Sequence, residues 1–288
     1  MKTFKEMQEI ETDGSTTLIV DALNLAFRWK ARPSKQDEFP IQKEFVEDYV
    51  SVVRSLQKSY RAEKVIIACD AGSNFRRSIY PEYKQNRRDK YADATPYEQE
   101  LFEKFQEEFQ KTFDRLNQVS KWLVVKLSGV EADDIAAHVC VHIDKYKLKR
   151  IWLASSDKDW SLLVTPDISQ FSYVTRKEIT FDNWNDHHEC EIPEYISVKC
   201  LQGDPGDGVP GIHGIGPKRA VALINKYGSA LDIYNALPLP GSSQYIKNLN
   251  ESGEIIPRNY QLMDLMGQCD LAIEPHLEDL KSKLNNYL

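Results

Sequence analysis

The sequence lacks any uninterrupted apolar run near the roughly 18–20 residues that a membrane-spanning helix needs. Its opening, MKTFKEMQEIETDGSTT, also lacks the apolar stretch of a signal peptide. Cysteine is scarce, with five residues and no CxxC pair. This scarcity excludes a disulfide scaffold and argues against a cysteine-ligated zinc module. We therefore expect a soluble, reduced, cytoplasmic protein that does not interact with membranes.

Positive charge is not in excess either. Lysine and arginine number 37 against 44 aspartates and glutamates, so the formal net charge is −7 over 288 residues. This balance excludes a histone-like or generally basic nucleic-acid binder, but it leaves room for a locally basic surface. With 41% hydrophobic residues, the chain can build one large domain or two modest ones.

Short apolar, β-branched runs alternate with segments of helical spacing. The runs are hydrophobic throughout, which is typical of parallel strands that are covered on both faces. They are Thr17–Val20, Val65–Cys69, Trp122–Leu127 and Ile151–Ser155. Helices are predicted between them at Gln42–Tyr60 and Ala132–Tyr146. The pattern predicts an α/β fold with a central, mostly parallel sheet.

Three regions are predicted along the chain. Residues 1–15 are polar and are expected to form a flexible tail. Residues 16–185 should form the α/β core, including a long excursion whose second half begins with the capping box Thr95–Glu98 and continues with apolar residues at helical spacing. Residues 186–288 contain short helical pieces joined by glycine and proline, one of them predicted at about Pro257–Met266, and should form a helical region.

Carboxylates follow three of the predicted strands. Asp21, Asp70 and Asp157 each come directly after an apolar run, and ligands of open parallel sheets gather at the carboxyl ends of the strands. Other acidic residues lie at the start of a predicted helix or in short loops; they are Glu131, Asp133, Asp134, Asp159, Asp204 and Asp207. Each of these groups alone is compatible with helix-dipole stabilisation or with a solvated turn.

Convergence of these carboxylates would require neutralisation. Two like charges 4 Å apart repel by about 4 kcal/mol at an effective dielectric near 20. Ligation by oxygen alone, without histidine or cysteine, favours Mg²⁺ or Mn²⁺ over zinc. Two such ions suit the attack of water on a phosphodiester, so the sequence predicts a two-metal phosphoryl hydrolase.

A basic stretch occupies residues 76–90. It holds six basic and two acidic residues, and Lys84, Arg87 and Arg88 are spaced to share one helix face beside Tyr83. A solvated basic face is the ordinary explanation. The interleaving of rings and cations is also what binding of a single nucleic-acid strand requires.

A second basic element is the GxxGxGPK turn at residues 211–218, which leads into a predicted helix over Pro217–Tyr227. Backbone amides at such a helix start favour a phosphate, and a tight turn between helices is the alternative. We interpret residues 203–227 as a helix-hairpin-helix that contacts duplex phosphates without sequence specificity. The residues predicted to bind DNA are Arg28, Arg76, Arg77, Arg88, Lys199, Gly214, Gly216, Lys218 and Arg219.

Five motifs, in this order, resemble those of the 5′-nuclease (flap endonuclease) family, especially the stand-alone bacteriophage 5′–3′ exonucleases and the 5′-nuclease domain of bacterial DNA polymerase I. They are IVDALNLAFR at 19–28, PEYKQNR at 81–87, GVEADD at 129–134, SSDKDW at 155–160 and GDPGDGVPGIHGIGPKRA at 203–220. The resemblance implies a metal-dependent, structure-specific 5′ nuclease that removes flaps and primers in DNA replication. Its partners would be DNA with 5′ flaps or 5′ ends and RNA/DNA primers, and we expect a monomer.

The resemblance also implies residue roles. One Mg²⁺, which Mn²⁺ could replace, would be bound mainly by Asp70, Glu131, Asp133 and Asp134. Asp159, Asp204 and Asp207 would lean towards the other Mg²⁺, with Asp157 between the ions and Asp21 acting through water. Lys84 and Arg87 would hold the scissile phosphate, and Tyr83 would stack on a base. Residues 76–118 would form a helical arch for a single strand, and the hairpin would hold K⁺.

Three alternatives remain at this stage. A relative that cuts four-way junctions or bubbles would share the carboxylates. A catalytically inactive DNA-junction binder should have lost a carboxylate or Lys84, whereas the chain keeps them all. A small-molecule phosphatase would explain the acidic residues but not the basic stretch or the hairpin. Around Gly241–Gln244 the chain is neutral where relatives can carry lysine, which weakens the expected duplex contact there.

Overall fold

A six-stranded sheet forms the centre of the computed structural model, which describes residues 16–30, 45–118 and 121–288, without the side chains of 28–30. The strands are β1 (Thr16–Asp21), β2 (Lys64–Cys69), β3 (Leu123–Lys126), β4 (Arg150–Ala154), β5 (Ile168–Ser172) and β6 (Lys177–Ile179). Their order is β3-β2-β1-β4-β5-β6, and only β6 runs antiparallel to its neighbour. The predicted α/β fold with a mostly parallel sheet is confirmed. The predicted tail, residues 1–15, lies outside the described residues.

Helices cover the sheet and extend beyond it. They are α1 (Ala22–Lys30), α2 (Phe45–Ser59), α3 (Asn74–Ile79), α4 (Gln85–Ala92), α5 (Pro96–Gln118), α6 (Ala132–Val141), α7 (Tyr195–Gln202), α8 (Pro217–Tyr227), α9 (Ala230–Asn235), α10 (Gln244–Ser252), α11 (Ile255–Met263), α12 (Leu265–Ala272) and α13 (Leu277–Tyr287). A short hairpin of β7 (Gly203–Asp204) and β8 (Val209–Pro210) lies between α7 and α8. None of the helices in the described ranges combines the length and apolar character that crossing a bilayer requires.

Both faces of the sheet are buried, which explains the uniformly apolar strands. In β1, Leu18 and Val20 join the core formed with α1, α2 and α5, whereas Ile19 joins the core formed with α6, α12 and α13. Successive side chains along the strand therefore alternate between the two hydrophobic cores. The carboxyl ends of the central strands remain as the edge where polar groups can gather.

The structure differs from the sequence-based prediction in two places. Strands β5 and β6 were not predicted, because β5 is the polar run ISQFS, whose buried Gln170 is satisfied by hydrogen bonds to the carbonyls of Ser155 and Asp157 (3.0 and 2.7 Å). The helix predicted around Pro257–Met266 divides at Asp264, whose side chain caps α12 by accepting from the Gly267 amide (3.1 Å). As a result, α12 and α13 return to pack on the sheet.

A third hydrophobic core holds the helical region together. It is formed by α7 to α11 and by Ile212 and Ile215 of the turn before α8. The ring of Tyr83, which comes from the segment between α3 and α4, is also part of this core. The base of the excursion after β2 is thereby fixed against the helical region, beside the carboxyl edge of the sheet.

Candidate active site

Three strand-end carboxylates lie side by side, because β1 is hydrogen-bonded to β2 on one side and to β4 on the other. Asp21 is buried and accepts hydrogen bonds from the Ser155 hydroxyl (2.7 Å) and the Asn24 amide (3.0 Å). Asp70 accepts from the Ala132 amide (3.2 Å), which draws the start of α6 to the same edge. Asp157 follows β4 and accepts from the amide of Asp159 (2.9 Å).

The turn before α6 delivers two further carboxylates. Gly129 has a φ of +76°, and a Cβ there would lie 2.1 Å from the Asn74 side chain, so only glycine fits. This turn places Glu131, which is 2% exposed, at the start of α6. Asp133 follows and accepts a hydrogen bond from the indole of Trp160 (2.6 Å).

A second group of carboxylates comes from the loop after β4 and from the β7–β8 hairpin. Oxygens of Asp159, Asp204 and Asp207 all lie within 4.8 Å of one another. Asp204 accepts from the amides of Gly206 (2.8 Å) and Asp207 (3.2 Å), which gives the hairpin loop its shape. The sequence GDPGD thus forms a hydrogen-bonded turn that places Asp204 and Asp207 beside Asp159.

Basic side chains lie directly on these carboxylates. Lys84 forms an ion pair with Glu131 and lies 3.6 Å from Asp207, which also pairs with Arg87. Lys199 pairs with Asp159 and lies 3.5 Å from Asp204. Two residues from the excursion and one from α7 therefore supply the positive charge that the clustered carboxylates require.

Arg76 is buried beside the carboxylates. It is 2% exposed, its Nη1 and Nη2 donate to Asp134 (2.7 and 2.8 Å), and Nη1 also donates to Glu131 (2.7 Å). Its Nε donates to the Leu262 carbonyl (2.8 Å). The guanidinium is thus engaged by protein groups on every side, and DNA binding by Arg76 stays a prediction. Asp134 shares this guanidinium with Glu131, and both of its oxygens accept from Arg76.

Tyr83 and Lys199 are buried as well. Tyr83 is 3% exposed and donates its hydroxyl to Asp207 (2.7 Å), so its ring is enclosed by protein. Lys199 is 9% exposed and is engaged by two carboxylates rather than by solvent. Base stacking by Tyr83 and DNA binding by Lys199 stay predictions. Nothing in the sequence pattern distinguished these inward residues from exposed ones.

The other predicted DNA contacts lie away from the carboxylates. Arg88, Lys218 and Arg219 are exposed and Arg77 is partly exposed, whereas the side chain of Arg28 lies outside the described residues. At the hairpin before α8, Gly214 has a φ of +85° and its carbonyl accepts from Arg219 (2.5 Å). Gly216 is the N-cap of α8, and open space surrounds the position of its missing Cβ.

The base of the excursion is held by the same hairpin loop. The Lys84 amide donates to the Asp207 carbonyl (2.8 Å), and the Asn86 side chain donates to the Pro205 carbonyl (2.9 Å). Lys84 has a φ of +58°, a strained conformation for a non-glycine residue. Its side chain is thereby directed to Glu131 while α4, which has no buried residues, extends away from the site.

Burial and mutual repulsion control the ionisation of the site. Burial, together with Asp70, raises the pKa of Asp21 to about 8. Burial also raises the pKa of Asp159 to about 6, although Lys199 acts in the opposite direction. Burial acts to raise the pKa of Glu131 as well, but Arg76 and Lys84 outweigh it and lower that pKa to about 2. In the absence of further cations, the site therefore retains protons.

Oxygen donors of this kind fit hard divalent cations. Residues that could hold them are those with carboxylates at the edge, namely Asp21, Asp70, Glu131, Asp133, Asp157, Asp159, Asp204 and Asp207. Their crowding is relieved when divalent ions replace the retained protons. The fold and the site define a class: a phosphodiesterase with an α/β sheet domain that uses divalent metal ions and basic side chains.

Comparison with known proteins agrees with this class. Residues 16–189 match the model for the N-terminal resolvase-like domain of 5′-3′ exonucleases, and residues 191–287 match the model for their C-terminal SAM fold. The flap endonuclease of Escherichia phage T5 is 40% identical over 283 residues, covering 97% of this chain and 94% of the relative. The chain belongs to the 5′-3′ exonuclease family, and it is a metal-dependent 5′ nuclease. The family resemblance read from the motifs is confirmed.

Solved structures show the same likeness. The T5 5′-exonuclease with bound zinc ions superposes with a TM-score of 0.85 at 40% identity, covering 94% of this chain and 97% of that one. A complex of the T5 flap endonuclease with DNA and metal ions gives a TM-score of 0.84 at 39% identity, with the same coverage. The likeness therefore extends over both the sheet and the helical region.

We predict that Arg76→Met lowers the free energy of unfolding by about 3–5 kcal/mol, because it leaves buried carboxylates without their counter-charge. Urea unfolding monitored by circular dichroism measures the change. Arg88→Met is the matched control at an exposed position and should change stability by less than about 0.5 kcal/mol. Equal stabilities for the two variants would contradict the buried ion pair.

We predict that divalent-metal binding releases protons near pH 7, because Asp21 and Asp159 ionise only around pH 8 and 6 in the metal-free protein. Metal affinity should rise between pH 6 and 8, by up to about tenfold per unit for each released proton. Since these folded-state pKa values are raised, their contribution to the stability of the metal-free protein is present at low pH and is lost as pH rises through them.

Calorimetric titration with Mg²⁺ in two buffers of different ionisation enthalpy measures the proton release. Asp21→Asn should release fewer protons at pH 7 than the wild type. Binding heats that do not depend on the buffer would contradict the raised pKa values.

Proposed function

We propose that the chain is a structure-specific 5′ nuclease with 5′–3′ exonuclease and flap endonuclease activity that removes flaps and primers during replication. The observation that carries this proposal is the meeting of Lys84 and Arg87 with the carboxylate cluster at the foot of the excursion. Cations beside a metal-binding carboxylate cluster are suited to a phosphate rather than to an uncharged substrate. The likeness to the T5 flap endonuclease supports the same substrate class.

Two divalent ions, Mg²⁺ with Mn²⁺ as a substitute, would supply an activated water and stabilise charge on the phosphate oxygens. We assign Asp70, Glu131 and Asp133 to one ion and Asp159, Asp204 and Asp207 to the other, with Asp157 between them. Asp21 already accepts hydrogen bonds from Ser155 and Asn24, which supports contact through water rather than direct ligation.

Lys84 and Arg87 hold the scissile phosphate in this proposal. In the structure they neutralise Glu131 and Asp207. Their side chains are 15% and 56% exposed, so both can reach a ligand at the surface of the site. Once the carboxylates are neutralised by metal ions, these cations become free to bind the phosphate and to stabilise its developing negative charge.

The arch segment, residues 76–118, is proposed to guide a single strand past the site. Helix α4 supports this role, because none of its residues is buried and it carries Arg87, Arg88 and Lys90. The exposed hairpin with Gly214, Gly216, Lys218 and Arg219 would hold the duplex phosphates, with K⁺ at its carbonyls. We further propose that RNA/DNA primers are substrates and that the protein acts as a monomer in the cytoplasm.

The test is cleavage of a 5′-labelled flap substrate with Mg²⁺, beside an unflapped duplex and an EDTA control. We expect a metal-dependent cut near the junction. Asp204→Asn should bind the flap with unchanged affinity but cut it at least about 100-fold more slowly, because it loses one carboxylate of the cluster. Flap binding by the wild type without a cut in Mg²⁺ or Mn²⁺ would establish a junction-binding protein instead. Cutting at four-way junctions or bubbles in preference to flaps would establish that rival specificity.

We predict that Lys84→Ala slows single-turnover flap cleavage by at least about 100-fold, since one positioned donor to a developing anion contributes that much. Lys58→Ala is the control, because Lys58 is an exposed lysine at the end of α2 and belongs neither to the arch segment nor to the carboxylate site. Circular dichroism checks that both variants fold. A loss below tenfold, equivalent to about 1.4 kcal/mol, would leave Lys84 as a structural counter-charge only.

A further inference from the structure

A cluster of two histidines and one aspartate lies between α6 and α12, outside the carboxylate site. His138 is fully buried on α6, His142 follows the last turn of that helix, and Asp270 projects from α12. The Nδ1 of His138 lies 2.7 Å from one Asp270 oxygen, and the Nε2 of His142 lies 2.9 Å from the other. These three side chains place their donor atoms within 4.8 Å of one another.

We propose that His138, His142 and Asp270 form a second metal site, which binds one Zn²⁺ and joins α6 to α12. Two imidazole nitrogens and a carboxylate are a typical three-residue ligand set for zinc, with water in the fourth position. The spacing of four residues between the histidines puts both rings on one face of α6. Half of the Asp270 side chain is exposed (47%), so water and metal can reach the cluster.

The distances between the donor atoms suit this ion. Ligands about 2.0–2.1 Å from a tetrahedral zinc lie about 3.3 Å from one another. Measured to the shared Asp270 oxygen Oδ1, the His138 and His142 nitrogens lie 2.7 and 3.2 Å away, so these two contacts need to lengthen by at most about 0.6 Å to admit the ion. The two rings are inclined at 63° with centroids 4.6 Å apart, which keeps the nitrogens directed at a shared carboxylate.

The surroundings of His138 favour its role as a ligand. Its Nε2 lies 2.9 Å from the Tyr146 hydroxyl. That hydroxyl can accept a hydrogen bond from Nε2–H, which leaves the Nδ1 lone pair for a metal. Metal-binding histidines regularly have such a partner on the second nitrogen. Burial lowers the pKa of His138, which favours the neutral ring that metal ligation requires.

The ligand chemistry separates this site from the nuclease centre. The nuclease cluster presents carboxylate oxygens, which suit Mg²⁺ or Mn²⁺, whereas the cluster between α6 and α12 presents two nitrogens and suits zinc. Because α6 begins at the carboxylates and α12 belongs to the C-terminal part of the chain, bound zinc would tie the two together. Zinc at this site would therefore stabilise the contact between α6 and α12.

Cobalt spectroscopy tests the proposal on the full chain. Co²⁺ is titrated in excess Mg²⁺, which occupies the all-oxygen centre, and visible absorption distinguishes four-coordinate Co²⁺ from six-coordinate Co²⁺ in oxygen sites. We expect a four-coordinate band that saturates at one equivalent and is abolished by Zn²⁺. His142→Ala and Asp270→Asn should lose the band, because each removes a ligand. Asp204→Asn and His187→Ala should keep it.

Thermal unfolding in Mg²⁺ gives an independent readout. One equivalent of Zn²⁺ should raise the Tm of the wild type by several degrees and leave the Tm of His142→Ala unchanged, because only the wild type binds the ion in its folded state. A wild type without the four-coordinate band would overturn the proposal and leave a hydrogen-bonded contact between the helices. A band that persists in His142→Ala or disappears in His187→Ala would also overturn it.

Discussion

Electrostatic compensation at the sheet edge is the constraint on which the rest of the structure depends. Eight carboxylates gather where the strands end, and several are enclosed by protein. Such groups cannot all ionise without cations, because each pair of neighbouring charges repels by several kcal/mol. This charge is balanced by the buried Arg76, by Lys84 and Lys199, and by the protons that some carboxylates retain. The raised pKa values of Asp21 and Asp159 and the lowered pKa of Glu131 express the same balance.

This compensation also connects parts of the chain that are distant in sequence. Lys84 and Arg87 come from the excursion after β2, yet their partner Asp207 lies in the hairpin of the helical region about 120 residues later. Tyr83 reinforces the connection, since its ring packs in the helical core and its hydroxyl binds the same aspartate. Sheet, excursion and helical region are therefore assembled around the charges of the active site.

The sequence predicts the groups that obey simple local rules. Strands β1 to β4 were found because burial on both faces makes them uniformly apolar, and the strand-end aspartates followed from the shared edge of a parallel sheet. Strand β5 was not predicted, because the hydrogen bonds from its buried Gln170 to backbone carbonyls are not visible in any local sequence pattern. The buried positions of Arg76 and Lys199 were not predicted for a related reason. Whether a basic residue faces solvent or a buried carboxylate depends on tertiary contacts, and those contacts are absent from the spacing of charges.

The difference between Arg76 and Lys84 shows how one cluster can serve both stability and catalysis. Arg76 has a 3% exposed side chain and satisfies two carboxylates and a backbone carbonyl, so releasing it would leave several buried groups unpaired. Lys84 and Arg87 are more exposed, and their carboxylate partners are those that divalent ions can neutralise. In the proposed function, exchange of these two cations from carboxylate to phosphate would therefore cost little once metal is bound. Position within the cluster, rather than residue type, decides which cation is structural and which is available to substrate.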